Sequence, residues 1–338
     1  MIFLFDNYLE FEIINPIKDM IQREWAGMFK TMGIHHISAI VGNAQENLDF
    51  YGSVLGMRLV KKTVNFDDPG TYHLYFGNDQ GSQGTVMTFF PWNKGFKGRI
   101  GTGQVGVTSF AIPKGAMPFW EERFQRYHVK SRKHARFGET YLAFRDPHGL
   151  QLELVERAEG EQSIWHFNGV GPDTGIKGFA GAILLSSSPS HTMGLLRNGL
   201  GFEVVGKEGS YVRYRSEAEY GNTIDVDVSE HERGRMGTGT VHHIAWRAMD
   251  NEDQLKARES IISKGFAVTP IKDRKYFKAV YFREHGDILF EIATDSPGFL
   301  IDEDIQHLGE SLMLPEEYDP RRFEIEGNLM EIRLREMN

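Results

Sequence analysis

The chain has 338 residues and no cysteine, with 40% hydrophobic and 25% charged residues, a formal net charge of -9 and a pI near 5.8. This length and composition predict a folded protein with two domains or several repeated units. The acidic balance argues against nucleic-acid binding, which needs an excess of Lys and Arg, and the lack of cysteine excludes disulfides, thiolate nucleophiles and thiolate-bound metals.

No apolar run approaches the roughly 20 residues that cross a bilayer. The start, MIFLFDNYLEFEIINPIKDM, also lacks the positively charged segment of a signal peptide. We therefore expect a cytoplasmic protein that has no membrane partner. The sequence is compatible with a homo-oligomer.

Along the chain, one order of predicted elements occurs four times: a strand, a helix and three more strands. The four modules are 34–92, 103–157, 178–230 and 240–296. The remaining segments are an N-terminal extension (1–33), a Gly-rich polar linker (158–177) and a C-terminal tail (297–338). This repetition predicts an α+β fold built from βαβββ modules.

Each module shows the local signals of its elements. Helices are predicted at 47–55, 117–127, 191–200 and 250–264, and three of them are followed by Gly56, Gly201 or Gly265. A glycine in this place is typical of a helix that ends in a left-handed conformation. The last strands form hairpins, as in YLAFRDPHGLQLELVE and VYFREHGDILFEIATD, where alternating apolar residues flank a Gly-containing turn.

The dipeptide His-His opens the first strand of modules 1 and 4, as His35-His36 and His242-His243. Neighbouring side chains of a strand point to opposite faces, so one histidine of each pair can face a cavity. His36 and His243 share their faces with smaller side chains, which leave room for a ligand. We therefore predict that these two histidines face the cavity.

One carboxylate completes the predicted site. Glu291 lies nine residues after Phe282, and Glu153 lies nine residues after Phe144, so the two acids occupy equivalent positions in modules 4 and 2. Two neutral imidazoles and one carboxylate bind one face of an octahedral metal and leave positions open, an arrangement typical of non-haem Fe(II) enzymes that use oxygen. The other histidines, including His73, are scattered and are interpreted as structural.

The origin of the ligands constrains the architecture. Because they come from modules 1 and 4, these modules should pair in one domain, and modules 2 and 3 should form a second domain without metal. Glu153, which has no histidine partner in its module, is then interpreted as the remnant of a half-site.

The repeats and the stretches GIHHISAIVGNAQENLDFYGSVLGMRLVKKTVNFDDPGTYHLYFG and FRDPHGLQLELVE resemble the vicinal-oxygen-chelate superfamily of glyoxalases, antibiotic-resistance proteins and extradiol dioxygenases. The paired His-His-Ile openings and the late Phe-Glu-Ile resemble its hydroquinone ring-cleaving dioxygenases, over nearly all of residues 33–320. The resemblance implies an extradiol-type dioxygenase that uses Fe(II), or alternatively Mn(II), and O₂ to open a hydroquinone or related small diphenol.

The resemblance also implies roles for individual residues. The implied iron ligands are His36, His243 and Glu291. The implied catalytic residues around the metal are His35, His242, Arg274 and Tyr281. Substrate contacts are implied for Ser38, Arg274 and Tyr281. Strand alternation disagrees for His35 and His242, which should point away from the metal unless a bulge changes their direction.

Two other functions stay open at this point. A glyoxalase-like metal isomerase would want an additional carboxylate or amide ligand from module 1 near residues 87–89, where the chain offers Thr88 and no acid. A protein that binds a small aromatic molecule without catalysis could use the same cavity without a metal.

Overall fold

The computed structural model describes residues 29–93 and 95–337, so most of the predicted extension 1–33 lies outside the described residues. Within this range there are sixteen strands and five α-helices, with short 3₁₀ segments in the tail. None of the described helices is both long enough and apolar enough to cross a membrane.

Every module contains one helix after its first strand and then three strands. Module 1 consists of β1 (Ile34–Val41), α1 (Ala44–Leu48) with a π-helical extension (Asp49–Val54), β2 (Arg58–Asn65), β3 (Asp68–Gly77) and β4 (Val86–Pro91). Module 2 consists of β5 (Gln104–Ile112), α2 (Met117–Arg126), β6 (Ser131–Arg136), β7 (Glu139–Arg145) and β8 (Gln151–Glu156). The βαβββ order is therefore the repeated unit.

The second half of the chain has the same order. Module 3 consists of β9 (Gly178–Leu185), α3 (Pro189–Asn198), β10 (Glu203–Glu208), β11 (Tyr211–Arg215) and β12 (Thr223–Asp227). Module 4 consists of β13 (Thr240–Ala248), α4 (Asn251–Ser263), β14 (Lys272–Asp273), β15 (Phe277–Arg283) and β16 (Leu289–Pro297). The tail adds 3₁₀ turns (Phe299–Ile301, Asp319–Arg321) and α5 (Arg322–Asn328).

Local chemistry explains where the helices begin and end. The Asn43 side chain accepts hydrogen bonds from two backbone N–H groups at the start of α1, and the Asp250 side chain accepts one from the backbone N–H of Asp253 at the start of α4. Gly56, Gly201 and Gly265 have φ of 68°, 75° and 88°. These left-handed conformations end the helical segments as the sequence predicts.

The modules pair as predicted, 1 with 4 and 2 with 3. One eight-stranded sheet has the order β14-β15-β16-β13-β1-β4-β3-β2, and the other has the order β10-β11-β12-β9-β5-β8-β7-β6. Antiparallel pairs β1–β13 and β5–β9 join the two modules of each sheet. The first strands of modules 1 and 4 are thus neighbours at the centre of the first sheet.

Both central junctions contain two β-bulges. In the first sheet the extra residues are His35 in β1 and His242 in β13, and in the second sheet they are Gly106 in β5 and Ala180 in β9. A bulge interrupts the alternation of side chains along a strand. Simple alternation therefore does not predict the direction of His35 or His242.

The tail after module 4 contacts β2, the edge strand of the first sheet, and reaches the end of α2 in module 2. Lys61, fully buried in β2, contacts Asp302 at 2.6 Å and Glu303 at 2.5 Å. Further along, the Tyr318 hydroxyl donates to the carbonyl of Phe66 over 2.8 Å, and the Tyr127 hydroxyl donates to the carbonyl of Met337 over 2.9 Å. The tail thereby supports the β2–β3 hairpin, which forms one wall of the cavity described below.

The second sheet holds a guanidinium group between two buried acids. Arg136 Nε donates to Asp225 over 2.6 Å and Arg136 Nη2 donates to Glu153 over 3.0 Å. Glu153 pairs with Ser109 across β5 and β8, as Glu291 pairs with Ala245 across β13 and β16. The acid predicted to be the remnant of a half-site is therefore neutralised by an internal cation. The expectation that it has no histidine partner in its module is wrong, because His134 Nε2 of β6 lies 2.8 Å from Glu153 Oε1.

Replacing Arg136 with Met should destabilise the protein by about 3 kcal/mol, because it leaves two buried carboxylates with one cation fewer. Urea denaturation followed by circular dichroism measures this change. Lys133→Met is the matched control, because its ion pair with Glu121 is exposed and should contribute less than about 1 kcal/mol. Equal stability of the two variants would show that the Arg136 ion pairs do not contribute this much to the free energy of unfolding.

Candidate metal centre

Three side chains from different strands converge in the interior of the first sheet. His243 Nε2 lies 2.9 Å from Glu291 Oε2 and 3.2 Å from His36 Nε2, and His36 Nε2 lies 3.4 Å from Glu291 Oε2. The three residues are 5%, 2% and 0% exposed for His243, His36 and Glu291. Among the described residues, they form the one group of His, Asp or Glu side chains close enough to share a metal ion.

Strand register produces this convergence. Ser38 pairs with His243 across β1 and β13, so His36 and His243 lie diagonally on neighbouring strands. On the other side of β13, Ala245 pairs with Glu291 of β16. Strand β13 therefore lies between the other two donors, and the 1-with-4 pairing of modules is what brings them together.

His35 fixes the tautomer of His36. His35 Nε2 lies 3.1 Å from the carbonyl oxygen of Thr294, which can only accept, so this nitrogen carries the proton. The bare Nδ1 of His35 lies 2.9 Å from His36 Nδ1 and accepts a proton from it. His36 Nε2 is then left with a free lone pair directed at Glu291 and His243, the form that binds a metal.

His242 contacts its neighbour in the same way but has a different environment. His242 Nδ1 lies 2.7 Å from His243 Nδ1, which places His243 Nε2 toward the other two donors. Unlike His35, His242 lines the cavity. Burial and then the neighbouring histidine lower the pKa of both His35 and His242 to about 3, so both rings are neutral near pH 7.

The electrostatics of the three donors fit a metal cation. Neither Glu291 oxygen has a hydrogen bond of good geometry among the described residues, although the carboxylate is fully buried. Burial raises the pKa of Glu291, but His36 and His243 outweigh this effect and hold it below its ordinary value. Burial also lowers the pKa of His243. A buried, ionised carboxylate without a hydrogen-bond partner needs a compensating cation, and a divalent ion held by the three donors would supply it.

A cavity of about 320 Å³ opens beside the three donors. Its apolar walls are formed by Ile40, Phe66, Phe90, Trp92, Met236 and Phe277. Its polar lining includes Asn65, Asp67, His73, Tyr75, His242, Arg274 and Tyr281. A mostly apolar cavity with a few polar groups and a candidate metal site has the character of a small-molecule site.

Arg274 and Tyr281 form the polar edge of this cavity. Arg274 Nη2 lies 3.1 Å from Asp67 Oδ2, and its Cζ lies 5.6 Å from the centroid of the Tyr281 ring. Burial lowers the pKa of Arg274, but Tyr281 and Asp67 raise it above its ordinary value, so the guanidinium stays charged. Burial and then Glu291 raise the pKa of Tyr281, which keeps the phenol protonated.

The structure places the predicted site residues at different distances from the cavity. His36, His243 and Glu291 meet, and His242, Arg274 and Tyr281 line the cavity. His35 and Ser38 do not reach it: His35 contacts Thr294, and Ser38 Oγ lies 2.6 Å from Thr88 Oγ1.

Sequence reasoning missed His73, which was interpreted as structural but lines the cavity together with Tyr75. The signal that could have found them is their spacing of two residues on β3, which places both on one face of the strand.

Comparison with known proteins shows a common architecture over most of the chain. Residues 33–154 and 184–301 match the profile of the glyoxalase/bleomycin resistance protein/dioxygenase superfamily. A Bacillus subtilis (strain 168) protein, provisionally named ring-cleaving dioxygenase MhqO, is 60% identical over 91% of this chain and 99% of its own length. A crystal structure of a Bacillus subtilis protein, provisionally named dioxygenase, has a TM-score of 0.91 at 60% identity and covers 91% of this chain and 100% of that chain.

A more distant relative carries a specific name. The chlorohydroquinone/hydroquinone 1,2-dioxygenase of Sphingobium indicum is 34% identical over 82% of this chain and 89% of its own length.

Replacing Glu291 with Gln should weaken metal binding on the order of 100-fold, because the buried site loses its only carboxylate donor. Anaerobic titration with Fe(II) measures the dissociation constant. Glu153→Gln, at the equivalent position of the second sheet, should bind Fe(II) like the wild type. If Glu291→Gln binds one Fe(II) as tightly as the wild type, Glu291 is not a ligand.

Proposed function

The chain belongs to the glyoxalase/bleomycin resistance protein/dioxygenase superfamily, and from this membership and its metal centre we propose that it is an Fe(II)-dependent ring-cleaving dioxygenase. Its substrate would be a hydroquinone or related small diphenol, and cleavage would be of the extradiol type, at a ring bond beside a hydroxyl-bearing carbon. The observation that carries the proposal is the convergence of His36, His243 and Glu291 beside a cavity with aromatic walls.

The names of the relatives support this choice of reaction. The Bacillus subtilis relative at 60% identity is provisionally named for ring cleavage, and the Sphingobium indicum relative is named for hydroquinone. The first match covers 91% of this chain and the second covers 82%.

The cavity suits a flat aromatic ring. Phe66, Phe90, Trp92 and Phe277 offer aromatic faces and edges, and such contacts stabilise a bound ring by burial of apolar area and by stacking. The polar groups lie among these walls and can fix the orientation of the ring oxygens. Water exclusion by the same apolar walls strengthens every charge interaction inside the site.

Fe(II), or Mn(II) as an alternative, when held by His36, His243 and Glu291 would supply a Lewis acid and a redox centre that brings a phenol oxygen and O₂ together. In the overall reaction one ring carbon–carbon bond breaks and both oxygen atoms of O₂ enter the product. O₂ is the oxidant, so no further reductant is needed.

Residues of the chain would donate hydrogen bonds and stabilise negative charge during this reaction. Tyr281 is a protonated phenol at the edge of the cavity, and it can donate a hydrogen bond to an oxygen that gains negative charge. The Arg274 guanidinium keeps a fixed positive charge beside it and stabilises an ionised hydroxyl. Asp67 holds the guanidinium in place from the β2–β3 hairpin.

His242 is the candidate hydrogen-bond donor to a ligand. If His243 Nε2 binds a metal, His243 Nδ1 carries the proton and donates it to His242 Nδ1, so the neutral His242 ring, which lines the cavity, carries its own proton on Nε2. His35 has the equivalent place in module 1, but its Nε2 contacts the backbone carbonyl of Thr294. We therefore assign hydrogen-bond donation to the bound ligand to His242 and orientation of His36 to His35.

Neither rival function has the same support. The isomerase would want a fourth protein ligand from module 1, and the Thr88 hydroxyl is instead engaged with Ser38 and His73. A pure binding protein has no need for a buried carboxylate without hydrogen-bond partners, because this arrangement costs free energy unless a cation compensates it.

Oxygen uptake by anaerobically Fe(II)-loaded protein tests the proposal. Hydroquinone and methylhydroquinone should consume O₂ and yield ring-opened products, whereas a glutathione hemithioacetal should not react. Conversion of the hemithioacetal without O₂ would favour the isomerase. Iron binding without any turnover of diphenols would contradict the proposal.

Replacing Tyr281 with Phe should lower kcat for the diphenol on the order of 100-fold, because the donor to the reacting oxygen is lost. Iron content should not change, since Tyr281 is not a metal donor. Steady-state oxygen uptake and iron analysis measure the two quantities. Tyr220→Phe is the control, because the Tyr220 hydroxyl donates to Glu161 away from the cavity. An unchanged kcat in Tyr281→Phe would remove Tyr281 from the reaction.

A further inference from the structure

A row of four polar side chains connects the interior of the first sheet to the cavity. Ser38 Oγ lies 2.6 Å from Thr88 Oγ1, and Thr88 Oγ1 lies 2.9 Å from His73 Nε2. His73 Nδ1 in turn lies 2.8 Å from the Tyr75 hydroxyl. Ser38 is fully buried at the inner end of the row, whereas His73 and Tyr75 line the cavity at the outer end.

Strand register builds this row. Ser38 pairs with Thr88 across β1 and β4, and Thr88 pairs with Tyr75 across β4 and β3. The His73 ring is held between Tyr75 and Phe90, with centroids 4.1 Å and 4.2 Å away. The row is therefore fixed by the sheet and by packing, and does not depend on a flexible loop.

The His73 ring donates a hydrogen bond from one nitrogen and accepts a hydrogen bond at the other. Burial, together with the nearby His36 and His243, lowers the pKa of His73 well below its ordinary value, so the ring is neutral. A neutral imidazole has one N–H donor and one acceptor nitrogen. Both nitrogens are engaged in the row, so His73 accepts at one end and donates at the other.

The direction of the row follows from its buried end. If Tyr75 donated to His73, the donors would run inward, and the final hydroxyl proton on Ser38 would have no acceptor among the described residues. A buried donor without an acceptor is costlier than an acceptor that is not fully used. The favourable order therefore runs outward, from Ser38 to Thr88, to His73 Nε2, and from His73 Nδ1 to the Tyr75 oxygen.

We infer that Tyr75 is a substrate-orienting residue whose O–H donates into the cavity, and that the bound ligand presents a second oxygen there as an acceptor, either a carbonyl or an ionised phenol. His73 and Thr88 are positioning residues, because they act through Tyr75. The identity of the ligand as a phenol rests on the proposed function, but the direction of the hydrogen bonds does not.

The outward order makes Tyr75 selective for ligands that present an acceptor oxygen. The lone pair of Tyr75 that faces His73 is occupied, and its proton is available only to the cavity. A ring with an acceptor oxygen in this place gains a hydrogen bond, whereas an alkyl group of similar size leaves the Tyr75 proton without a partner. The pair of residues thus distinguishes a ring substituent with an acceptor oxygen from an apolar one.

Binding of two unreactive monophenols of similar size tests this inference. The anaerobic, Fe(II)-loaded full chain is titrated with 4-hydroxyacetophenone, which has a carbonyl acceptor, and with 4-ethylphenol, which has none. Quenching of tryptophan fluorescence reports binding, because Trp92 lines the cavity. The quantity measured is the ratio of the two dissociation constants, compared between wild type and variants.

Tyr75→Phe should reduce this ratio about three- to tenfold, the contribution of one neutral hydrogen bond. His73→Phe should reduce it partly, because the Tyr75 hydroxyl is then free to turn and to accept as well as donate. Two variants should keep the wild-type ratio. Ser38→Ala should keep it because Thr88 still donates outward, and Tyr72→Phe should keep it because the Tyr72 hydroxyl donates to Met330 on the other face of β3.

An unchanged ratio in Tyr75→Phe would overturn the inference. If Ser38→Ala reduced the ratio of dissociation constants as much as Tyr75→Phe does, the outward direction would be wrong. Because neither phenol is turned over, the ratios are measured whether or not the protein cleaves diphenols, so failure of the proposed function and failure of this inference are distinguishable.

Discussion

The antiparallel contact between β1 and β13 is the constraint on which the site depends. It places His36 and His243 on neighbouring strands, and β13 in turn pairs with β16, which carries Glu291. The two bulges of this junction place a second histidine beside each of these two histidines. The paired Nδ1 atoms lie 2.9 Å apart in His35–His36 and 2.7 Å apart in His242–His243. A change in the register of this one pair would separate His36 from His243 and Glu291.

The second sheet shows what the same frame does without histidines at its bulges. Its bulges carry Gly106 and Ala180, which offer no ligand, and its two acids bind Arg136. A buried carboxylate needs a compensating cation, and a guanidinium meets this need permanently, whereas a metal ion meets it only when bound. The two halves of the molecule therefore separate stability from chemistry. The half with an internal cation has its buried acids compensated, whereas the half with histidines has a group of donors that could hold a metal.

Much of this arrangement could be predicted from sequence because repeats and periodicity carry it. The repeated βαβββ order, the glycines after the helices and the positions of His36, His243 and Glu291 all follow from local patterns, and the origin of these residues predicted the pairing of modules 1 and 4. The directions of His35 and His242 could not be derived, since a bulge depends on pairing between distant strands. His73 was missed for a related reason, because its role depends on Thr88 of the next strand and on Ser38 beyond it.

We propose that the first sheet holds one iron ion with which the protein inserts both atoms of O₂ into a diphenol. The most direct test is turnover of hydroquinone under ¹⁸O₂ by the Fe(II)-loaded protein, with immediate borohydride reduction of the product to prevent exchange with water. Mass spectrometry should find both labelled atoms in a single ring-opened product. Formation of unlabelled benzoquinone, with the ring intact, would contradict the account, because O₂ would then act only as an electron acceptor.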